Sequence, residues 1–371
     1  MRIGVNALYL IPGKVGGTEI YLRSLLKALA SVDTCNEYLI YANFEADAEL
    51  APASPRFRLI RCHVKASFRP WRMIYEQVAL PFLLAADKVD AIFNPGFTGP
   101  ALCCRPSITV FHDLQHRRFP EFFRWHERPF WRFFLWLAAR HSKRIIAVSQ
   151  ATRRDLLLFY PFTQTRITVI PHGVDPEFFE IGVRRGSRPR SFFVLAVATI
   201  HPHKNLERLI DAFAHFRQRR PAYRLVIAGL RGNASKQVEM AIHRLNCADA
   251  VEITGWISRS TLYNLFEEAD AFITASIFEG FGMPILEALA AGIPCGVSRI
   301  PVFGEVAADA ALCFDPFSTD DIARVLLRLA DDEEFRSRAR TYGPQRARRF
   351  RWECAAQRIA KEMGLTLTAA E

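Results

Sequence analysis

Short apolar segments alternate along this chain with stretches whose apolar residues repeat every three or four positions. In the first half, the segments predicted as strands are Ile3–Leu8, Tyr38–Ala42, Arg58–Cys62, Ala91–Asn94, Ser107–Phe111, Ile145–Ser149 and Ile167–Ile170. In the second half they are Phe192–Ala198, Arg224–Ala228, Val251–Thr254, Ala271–Ala275, Cys295–Ser298 and Ala311–Phe314. Because strands that alternate with helices form parallel sheets, the pattern predicts an α/β protein with two doubly wound, Rossmann-like domains.

The domain boundary is predicted at residues 181–190, a polar, basic and turn-rich segment typical of a linker. The N-terminal domain is then 1–180 and the C-terminal domain 191–371, and the last helix, about residues 346–363, is expected to cross back to the N-terminal domain. Ligands of doubly wound sheets bind beyond the carboxyl ends of the strands. We therefore expect the chemistry on loops that follow strands, with the two domains facing each other across a cleft.

The segment from Glu279 to Glu287 joins a predicted strand to a helix predicted over Pro284–Ala291. Its glycines, Gly280 and Gly282, let the backbone approach a ligand closely, and the first amides of the helix are unpaired donors. Two carboxylates without a metal-binding motif suit a ligand rich in vicinal diols, such as a sugar and a ribose. The alternative, a solvated charge at a helix start, suits a single glutamate better than this whole glycine-rich segment.

A second glycine-rich loop, Gly13–Thr18, follows the first predicted strand and leads into a helix. Gly16 and Gly17, with the start of that helix, predict a cradle for an anion. Thr18 is expected as the N-cap of the helix. The loop matches neither the dinucleotide-binding fingerprint nor a P-loop, and a plain tight turn is the alternative.

A lysine follows the first strand of the second half, in the segment Thr199–Asn205. If Asn205 caps the next helix, Lys204 lies at its positive end, where ammonium, free amides and helix dipole together favour a diphosphate. Arg231, after the next strand, is expected to join it. A solvated surface lysine is the alternative.

Two histidines also lie next to predicted strand ends. His112 could hydrogen-bond a sugar hydroxyl or shield charge, and its alternative is a local bond to Asp113. His172, in the segment His172–Asp175, is interpreted as part of a turn that positions the hinge.

Composition excludes several classes of protein. Hydrophobic residues make up 50% of the chain and charged residues 23%, as in globular proteins with sizeable cores. The eight cysteines form no C-x-x-C pair, which favours a reduced, cytoplasmic setting, and we expect neither a signal peptide nor a membrane span. A net charge of +11 indicates acidic partners, such as nucleotides or phospholipid headgroups. Nucleic acid is disfavoured because its binding motifs are missing.

Residues 117–144 combine eight Lys or Arg side chains with nine aromatic ones and only two glutamates. The segment Phe68–Arg72 has a similar composition. Such mixtures suit an anionic membrane surface, so we expect peripheral contact at the inner face of a membrane. The alternative is a buried helix face made of Phe130, Phe134, Leu137 and His141, and both could hold at once.

Taken in order, these segments resemble the retaining glycosyltransferases of family 4, which have the GT-B fold. The motifs that carry the resemblance span nearly the whole chain: Gly16-Gly17-Thr18, His112-Asp113, residues 147–152, residues 171–175, Pro202-His203-Lys204-Asn205 and residues 278–287. The Glu-x7-Glu segment is the most specific of them.

The resemblance implies roles for individual residues. Glu279 would contact hydroxyls of the donor sugar, Glu287 would contact the nucleotide ribose, and Lys204 would bind the donor diphosphate. His112 would line the acceptor side near the reacting carbon. The sugar would be held in part by the segment Gly280, Phe281, Gly282 and Met283, mainly through its amides. Gly16 and Gly17 would close over the diphosphate or receive the acceptor, so the N-terminal domain would bind the acceptor and the C-terminal domain the nucleotide sugar.

The chain departs from the family pattern at three places. His203 stands where the family usually has Arg, so diphosphate binding would depend more on Lys204 and Arg231. Ala275 and Gly304 stand where Pro is common, which affects the loops more than the chemistry. The chain also has no D-x-D triplet to hold a metal-bound diphosphate, so we expect a transferase that needs neither metal nor cofactor.

The resulting hypothesis is transfer of a sugar, with retained configuration, to a glycan or lipid-linked acceptor in polysaccharide or lipopolysaccharide biosynthesis. The donor would be GDP-mannose or a UDP-sugar. A sugar-nucleotide epimerase of the same architecture is one alternative, although it would need acid and base groups around the sugar. A non-catalytic partner subunit is another, but such a subunit would be expected to lack Glu279 or Lys204, and both are present.

Overall fold

The computed structural model describes residues 1–186 and 190–368, which form two compact units. The first unit is Met1–Gly173 with Arg351–Glu371, and the second is Val174–Phe350. Each unit contains one parallel sheet flanked by helices, so the predicted fold class, α/β with two doubly wound sheets, is confirmed.

The first unit has a seven-stranded sheet in the order β3-β2-β1-β4-β5-β6-β7. Its strands are β1 Arg2–Ala7, β2 Glu37–Ala42, β3 Phe57–Arg61, β4 Ala91–Asn94, β5 Ser107–Phe111, β6 Arg144–Ala147 and β7 Ile167–Val169. Its helices are α1 Gly17–Val32, α2 Arg69–Ala86, α3 Gln115–Arg118, α4 Glu127–His141, α5 Gln150–Phe159 and, from the end of the chain, α14 Trp352–Thr368.

The second unit has a six-stranded sheet in the order β10-β9-β8-β11-β12-β13. Its strands are β8 Phe193–Val197, β9 Arg224–Ala228, β10 Val251–Gly255, β11 Ala271–Thr274, β12 Cys295–Ser298 and β13 Leu312–Phe314. Its helices are α6 Glu177–Arg185, α7 Leu206–Arg219, α8 Ser235–Arg244, α9 Arg259–Glu268, α10 Met283–Ala290, α11 Pro301–Val306, α12 Thr319–Asp331 and α13 Glu333–Ala347.

Every strand predicted from the sequence is present, with ends shifted by at most two residues. Inner strands such as β4, β5 and β12 are short and wholly buried, as strands covered by helices on both faces must be. The edge strands β3, β7 and β10 are only partly buried. All of their pairings are parallel, for example β1 with β4 and β8 with β11.

The predicted linker at residues 181–190 is wrong over most of its length. Helix α6 continues to Arg185 and belongs to the second unit, because Phe178 and Ile181 on its inner face are fully buried. The chain passes from the first unit to the second between Gly173 and Val174. Residues 187–189 of the predicted linker lie outside the described residues.

The end of the chain belongs to the first unit, although the helix predicted over residues 346–363 is in fact two helices. Helix α13 ends at Ala347 in the second unit, and α14 begins at Trp352. The Trp352 ring lies 5.8 Å from the Tyr21 ring of α1 and 5.9 Å from the His172 ring. Helix α14 thus covers the apolar face of α1 and completes the first unit.

Helix α4 is buried along a different face from the one expected. Leu135, Ala138 and Ala139 are buried, whereas the expected His141 is exposed and Phe130 is only partly covered. The larger aromatic residues are therefore displaced towards the surface. Within the described part of the chain, no helix combines the length and apolar character needed to span a bilayer.

Candidate active site

The second unit brings two of the predicted donor-binding residues together at the point where its strand order reverses. The chain runs outwards from β8 through β9 to β10, then returns to β11 beside β8 and continues in the other direction. Loops at such a reversal diverge and leave a crevice beyond the carboxyl ends of the strands. Lys204 follows β8 and Glu279 follows β11, so the two side chains lie on either side of this crevice.

Lys204 and Glu279 form an ion pair in which Nζ and Oε1 are 2.5 Å apart. The hydroxyl of Ser276 donates a second hydrogen bond to the same Oε1 at 2.8 Å. No hydrogen bond to Oε2 of Glu279 occurs among the described residues, so this oxygen is free to accept from a ligand hydroxyl. Both side chains are about one-sixth exposed, at 17% and 16%, which keeps them within reach of a ligand.

The loop between β11 and α10 has the backbone geometry that its glycines predict. Gly282 has a φ of +93° and stands at the N-cap of α10, which begins at Met283, one residue before the predicted start. A Cβ atom at Gly282 would lie 2.7 Å from the ring of Phe303, so both its conformation and its space favour glycine. The first amides of α10 have no partner within the helix and follow the Glu279 loop directly.

Glu287 is buried in α10 and has a protein partner that the sequence did not predict. The guanidinium of Arg259 lies 3.0 Å from Oε1 of Glu287. The Tyr263 hydroxyl donates to Asp175 at 2.7 Å and accepts from Arg259 at 3.2 Å, which extends the network. Arg259 could have been noticed because it follows β10 at the same edge of the sheet as Lys204.

Burial and charge act in opposite directions within this network. Burial raises the pKa of Glu287, and the attraction of Arg259 offsets only part of that effect. Burial alone would lower the pKa of Arg259, but its neighbours Glu287, Tyr263 and Asp175 outweigh it and raise the pKa. The guanidinium therefore stays charged and holds the Glu287 carboxylate in a fixed position.

The segment before Lys204 places a neutral histidine where the family usually has an arginine. Burial lowers the pKa of His203 to about 2, and the charge of Lys204 adds to the effect. The carbonyl of His203 accepts a hydrogen bond from the Ile277 amide at 2.8 Å, which ties this segment to the loop of Glu279. The backbone of His203 thus connects the two loops, and because its ring is neutral, Lys204 carries the positive charge of this segment.

Asn205 and Arg231 differ from what the sequence predicts. Asn205 occupies the N-cap position of α7 with a left-handed φ of +55°, but its side chain donates to the Pro316 carbonyl and makes no capping bond. Arg231 is exposed and forms an ion pair with Glu239 on α8. The role expected for Arg231 beside Lys204, contact with a donor diphosphate, stays a prediction.

In the first unit, His112 follows β5 and is buried. Its Nε2 lies 2.8 Å from the Pro95 carbonyl, so Nε2 carries the proton and Nδ1 is an acceptor. Burial lowers the pKa of His112 to about 4, so the ring is neutral at pH 7 and cannot shield charge. The alternative expected from the sequence, a local bond to Asp113, would need a ring proton, and the single proton of the neutral ring is donated to the Pro95 carbonyl.

Aromatic rings surround His112. The ring centroids of Tyr21 and Phe97 lie 4.8 and 5.1 Å away, and that of His172 lies 5.5 Å away. His172 is itself stacked on Trp352, so it is a packing residue of the first unit as well as part of the turn predicted from the sequence. The imidazole of His112 is therefore fixed in orientation by its surroundings.

The helix after the glycine-rich loop of the first unit starts two positions earlier than expected. Gly16, with a φ of +63°, is the N-cap of α1, whereas Thr18 lies inside the helix and donates to the Val15 carbonyl. A Cβ atom at Gly16 would meet nothing within 4 Å. The space beside Gly16 is thus open.

The point where the strand order of the first unit reverses, between β1 and β4, is filled by a buried polar network. The Asn6 side chain donates to Glu76 at 3.0 Å and to Asn94 at 3.2 Å, and the Thr98 hydroxyl donates to Glu76 at 3.1 Å. All four side chains are buried. This network holds the loops after β1 and β4 in place.

Comparison with known proteins agrees with this arrangement. Residues 15–178 match the model of "Glycosyltransferase Family 4", and residues 179–346 match that of "Glycosyl transferases group 1". The junction of the two matches lies five residues beyond the boundary between the structural units.

Similar proteins support the same assignment. The chain is 27% identical to O-antigen chain mannosyltransferase B of Escherichia coli over 74% of each chain. It is 30% identical to O-antigen chain mannosyltransferase RfbU of Salmonella typhimurium over 66% of each. The structure of sucrose-phosphate synthase from Thermosynechococcus elongatus superimposes over the full length of both chains with a TM-score of 0.81 at 18% identity. The chain is a member of the family 4, group 1 glycosyltransferases and has the GT-B fold.

Proposed function

We propose that this glycosyltransferase moves a sugar, mannose by preference, from a nucleotide-diphosphate donor to a glycan or lipid-linked acceptor with retained configuration. The observation that carries the proposal is the accessible pair of Lys204 and Glu279 at the reversal of strand order. The names of two relatives, both O-antigen chain mannosyltransferases, support mannose and a polysaccharide pathway. A UDP-sugar is the alternative donor.

On donor binding, Lys204 would contact the diphosphate and Glu279 would contact the sugar. The Lys204 ammonium has three donors, so it can bind a diphosphate oxygen while remaining close to Glu279. Glu279 would accept hydrogen bonds from sugar hydroxyls through Oε2, and Ser276 would keep its carboxylate in place. Glu287, fixed by Arg259, would accept from the ribose.

The proposed reaction breaks the bond between the anomeric carbon and the diphosphate oxygen. The acceptor oxygen forms its new bond to the same face of that carbon, and its proton passes to the departing diphosphate. The products are a glycoside and a nucleoside diphosphate. Lys204 and the first amides of α10 stabilise the charge that develops on the diphosphate, so the proposal requires neither metal nor cofactor.

His112 would help to position a hydroxyl and would not act as a proton donor. Its ring is neutral, and Nδ1 can accept a hydrogen bond from a hydroxyl of the sugar or the acceptor. This arrangement agrees with a mechanism in which the diphosphate takes the proton.

The test is to compare Glu279→Gln with the matched variant Glu334→Gln, which removes an exposed charge on α13. With GDP-mannose and a mannan-type acceptor, Glu279→Gln should lower kcat/KM by about 100-fold, because a positioned charged partner of the reacting sugar is lost. Glu334→Gln should retain wild-type kinetics. Unchanged transfer by Glu279→Gln with every donor tried would reject the assignment.

A second experiment, without acceptor, separates the transferase from an epimerase. Each nucleotide sugar is incubated with the wild-type protein without acceptor, and the sugar is analysed for a change of configuration. An epimerase would still convert its substrate, whereas the proposed transferase needs the acceptor. A protein that binds the donor but catalyses neither reaction would support the non-catalytic alternative.

We also propose peripheral contact with an anionic membrane through the first unit. Helix α2 exposes four large apolar side chains at helical spacing, Trp71, Ile74, Val78 and Phe82, with exposed fractions of 51 to 74%. Arg69 at its start lies 3.6 Å from Glu127 and over the Trp131 ring, so α2 adjoins α4. Helix α4 itself exposes basic and aromatic residues, namely Arg132, Phe133, Trp136 and Arg140.

This surface matches the chemistry of an anionic bilayer, because aromatic side chains insert at the interface while arginines meet the headgroups. The test is sedimentation with vesicles of phosphatidylglycerol and phosphatidylcholine at low salt. Phe82→Ser should weaken binding by about tenfold, since a Phe side chain no longer enters the interface. Phe317→Ser, which removes a similarly exposed ring from the second unit, is the matched control. Equal binding by wild type and Phe82→Ser, or none by wild type, would reject this surface.

A further inference from the structure

Four side chains of the second unit are in contact one after the other, from the start of that unit to the carboxylate of Glu287. Asp175 is the second residue of the unit, Arg259 and Tyr263 lie on α9, and Glu287 lies on α10. Neither Asp175 nor Tyr263 has a role in the reaction proposed above. The inference drawn from them rests on the proposed function, in which Glu287 accepts a hydrogen bond from the donor ribose.

The hydroxyl of Tyr263 is the central link of this series. It donates to Oδ2 of Asp175 at 2.7 Å and accepts from Nε of Arg259 at 3.2 Å. Burial and the bond to Asp175 raise the pKa of Tyr263 to about 12, so the hydroxyl keeps its proton near neutral pH. Because a hydroxyl is both a donor and an acceptor, Tyr263 can hold Asp175 and Arg259 at the same time.

The guanidinium of Arg259 is held in one orientation. Its Nη2 lies 3.0 Å from Oε1 of Glu287 and 3.7 Å from Oδ2 of Asp175. Its central carbon lies 5.0 Å from the ring centroid of Phe178 and 5.0 Å from that of Tyr263. A planar guanidinium that is bonded through Nε and Nη2 and lies against two rings has little freedom to turn. The position of Nη2 therefore determines the position of Oε1 of Glu287.

The two ends of the series differ in what they can still bind. At one end, Oδ1 of Asp175 accepts from the Glu177 amide at 3.2 Å, and the Asp175 carbonyl accepts from the Phe178 amide at 3.1 Å. Asp175 is thus anchored in the first turn of α6. At the other end, Oε2 of Glu287 accepts no hydrogen bond among the described residues, so this oxygen is the one left for a ribose hydroxyl.

We propose that Asp175 and Tyr263 are positioning residues that make Glu287 selective for ribonucleotides over deoxyribonucleotides. Asp175 holds the Tyr263 hydroxyl, and the hydroxyl holds Arg259, which in turn fixes the carboxylate of Glu287. A carboxylate that is fixed before the ligand arrives loses little rotational freedom on binding, so its bond to a hydroxyl contributes more to affinity. A carboxylate that can rotate distinguishes less between nucleotides with and without that hydroxyl.

The test is calorimetric binding of nucleoside diphosphates to the full chain. GDP and UDP are titrated first, and the tighter of the two is compared with its 2′,3′-dideoxy form. The critical variant is Tyr263→Phe, which removes the hydroxyl and keeps the ring beside Arg259. The matched control is Tyr342→Phe, which removes the hydroxyl of an exposed tyrosine on α13. Asp175→Ala, alone and combined with Tyr263→Phe, removes the anchor of the series.

Tyr263→Phe should weaken binding of the ribonucleotide by about fivefold, the amount expected for one hydrogen bond, and should leave binding of the dideoxy form unchanged. Asp175→Ala should have a similar effect, and the double variant should lose no more than either single variant, because both act through Arg259. Tyr342→Phe should bind both forms as wild type does.

Three results would overturn the inference and leave the transferase function standing. These are unchanged binding by Tyr263→Phe, equal losses for the ribonucleotide and its dideoxy form, and losses that add in the double variant. A wild-type protein that binds neither GDP nor UDP would overturn the proposed donor site together with the inference, so the two failures are distinguishable.

Discussion

The two units have parallel sheets of similar topology, but different side chains occupy the place where the strand order reverses. In the first unit, this position holds Asn6, Asn94 and Glu76, which satisfy one another and are buried. In the second unit, it holds the ion pair of Lys204 and Glu279, whose side chains remain about one-sixth exposed, at 17% and 16%. A buried network whose members all have partners is rigid and has no capacity for a ligand, whereas an accessible pair can exchange partners. The same topology thus supports a fixed wall in one unit and a binding site in the other.

The sharpest test of this contrast is to remove the cation of the second unit. Lys204→Met should reduce kcat/KM for the nucleotide sugar by about 100-fold, because the diphosphate loses its principal charge partner. Steady-state kinetics measure the effect, and Lys236→Met, which removes an exposed lysine from α8, is the control. Wild-type rates in Lys204→Met would show that the accessible pair is not the site.

The next largest effect is expected at Arg259, the ion-pair partner of the buried Glu287. Arg259→Met leaves a buried carboxylate without its cation and should reduce the free energy of unfolding at pH 8 by about 2 to 3 kcal/mol. Burial already raises the folded-state pKa of Glu287, and loss of Arg259 raises it further. A raised carboxyl pKa means that folding favours the protonated form, so the deficit should shrink as the pH falls towards 5.

Urea unfolding at several pH values measures this deficit. The double variant Arg259→Met with Glu287→Gln should restore part of the stability at pH 8 and remove the pH dependence. A deficit that grows on acidification would contradict a raised folded-state pKa for Glu287.

A smaller difference in stability is expected between alanine variants of Gly16 and Gly282, the N-cap residues of α1 and α10. Gly282→Ala should cost about 2 kcal/mol, because the positive φ is unfavourable and the new Cβ meets the Phe303 ring. Gly16→Ala should cost about 1 kcal/mol, because only the φ is unfavourable and the surrounding space is open. Thermal and urea unfolding compare the two variants, and equal costs would show that Phe303 moves aside.

The smallest effect concerns His112 in the first unit. Its folded-state pKa, about 4, is below the ordinary value of 6.5, so folding favours the neutral ring. The stabilisation is complete above about pH 7 and is lost as the pH falls through 6.5 towards 4. Between pH 8 and pH 6 the loss should be about 1 kcal/mol. His112→Gln should remove this part of the slope, as measured by urea unfolding at each pH; an unchanged slope would contradict the assignment.

Much of the fold could be predicted from the sequence because its signals are local. Apolar runs of four to seven residues between turn residues locate strands such as β4 and β11 without knowledge of their neighbours. The segment around Glu279 was found for the same reason, since strand, glycines and helix start are adjacent in the chain.

The features that could not be predicted depend on contacts between distant segments. Arg259 meets Glu287 across 28 residues, and His112 meets the Pro95 carbonyl rather than its neighbour Asp113. The ion pair of Arg231 with Glu239, eight residues further along the chain, was likewise not predicted. Sequence spacing can indicate which residues lie at a sheet edge, but the choice of partner depends on the three-dimensional packing.

The return of α14 to the first unit has a consequence for biosynthesis. Tyr21 and the leucines on the inner face of α1 are made early, whereas Trp352 and Met363, which cover the same unit, are made after the second unit. A ribosome releases residues in order, so the first unit cannot complete its core until the second has been synthesised. The nascent N-terminal half would therefore expose the apolar face of α1 until α14 has been made.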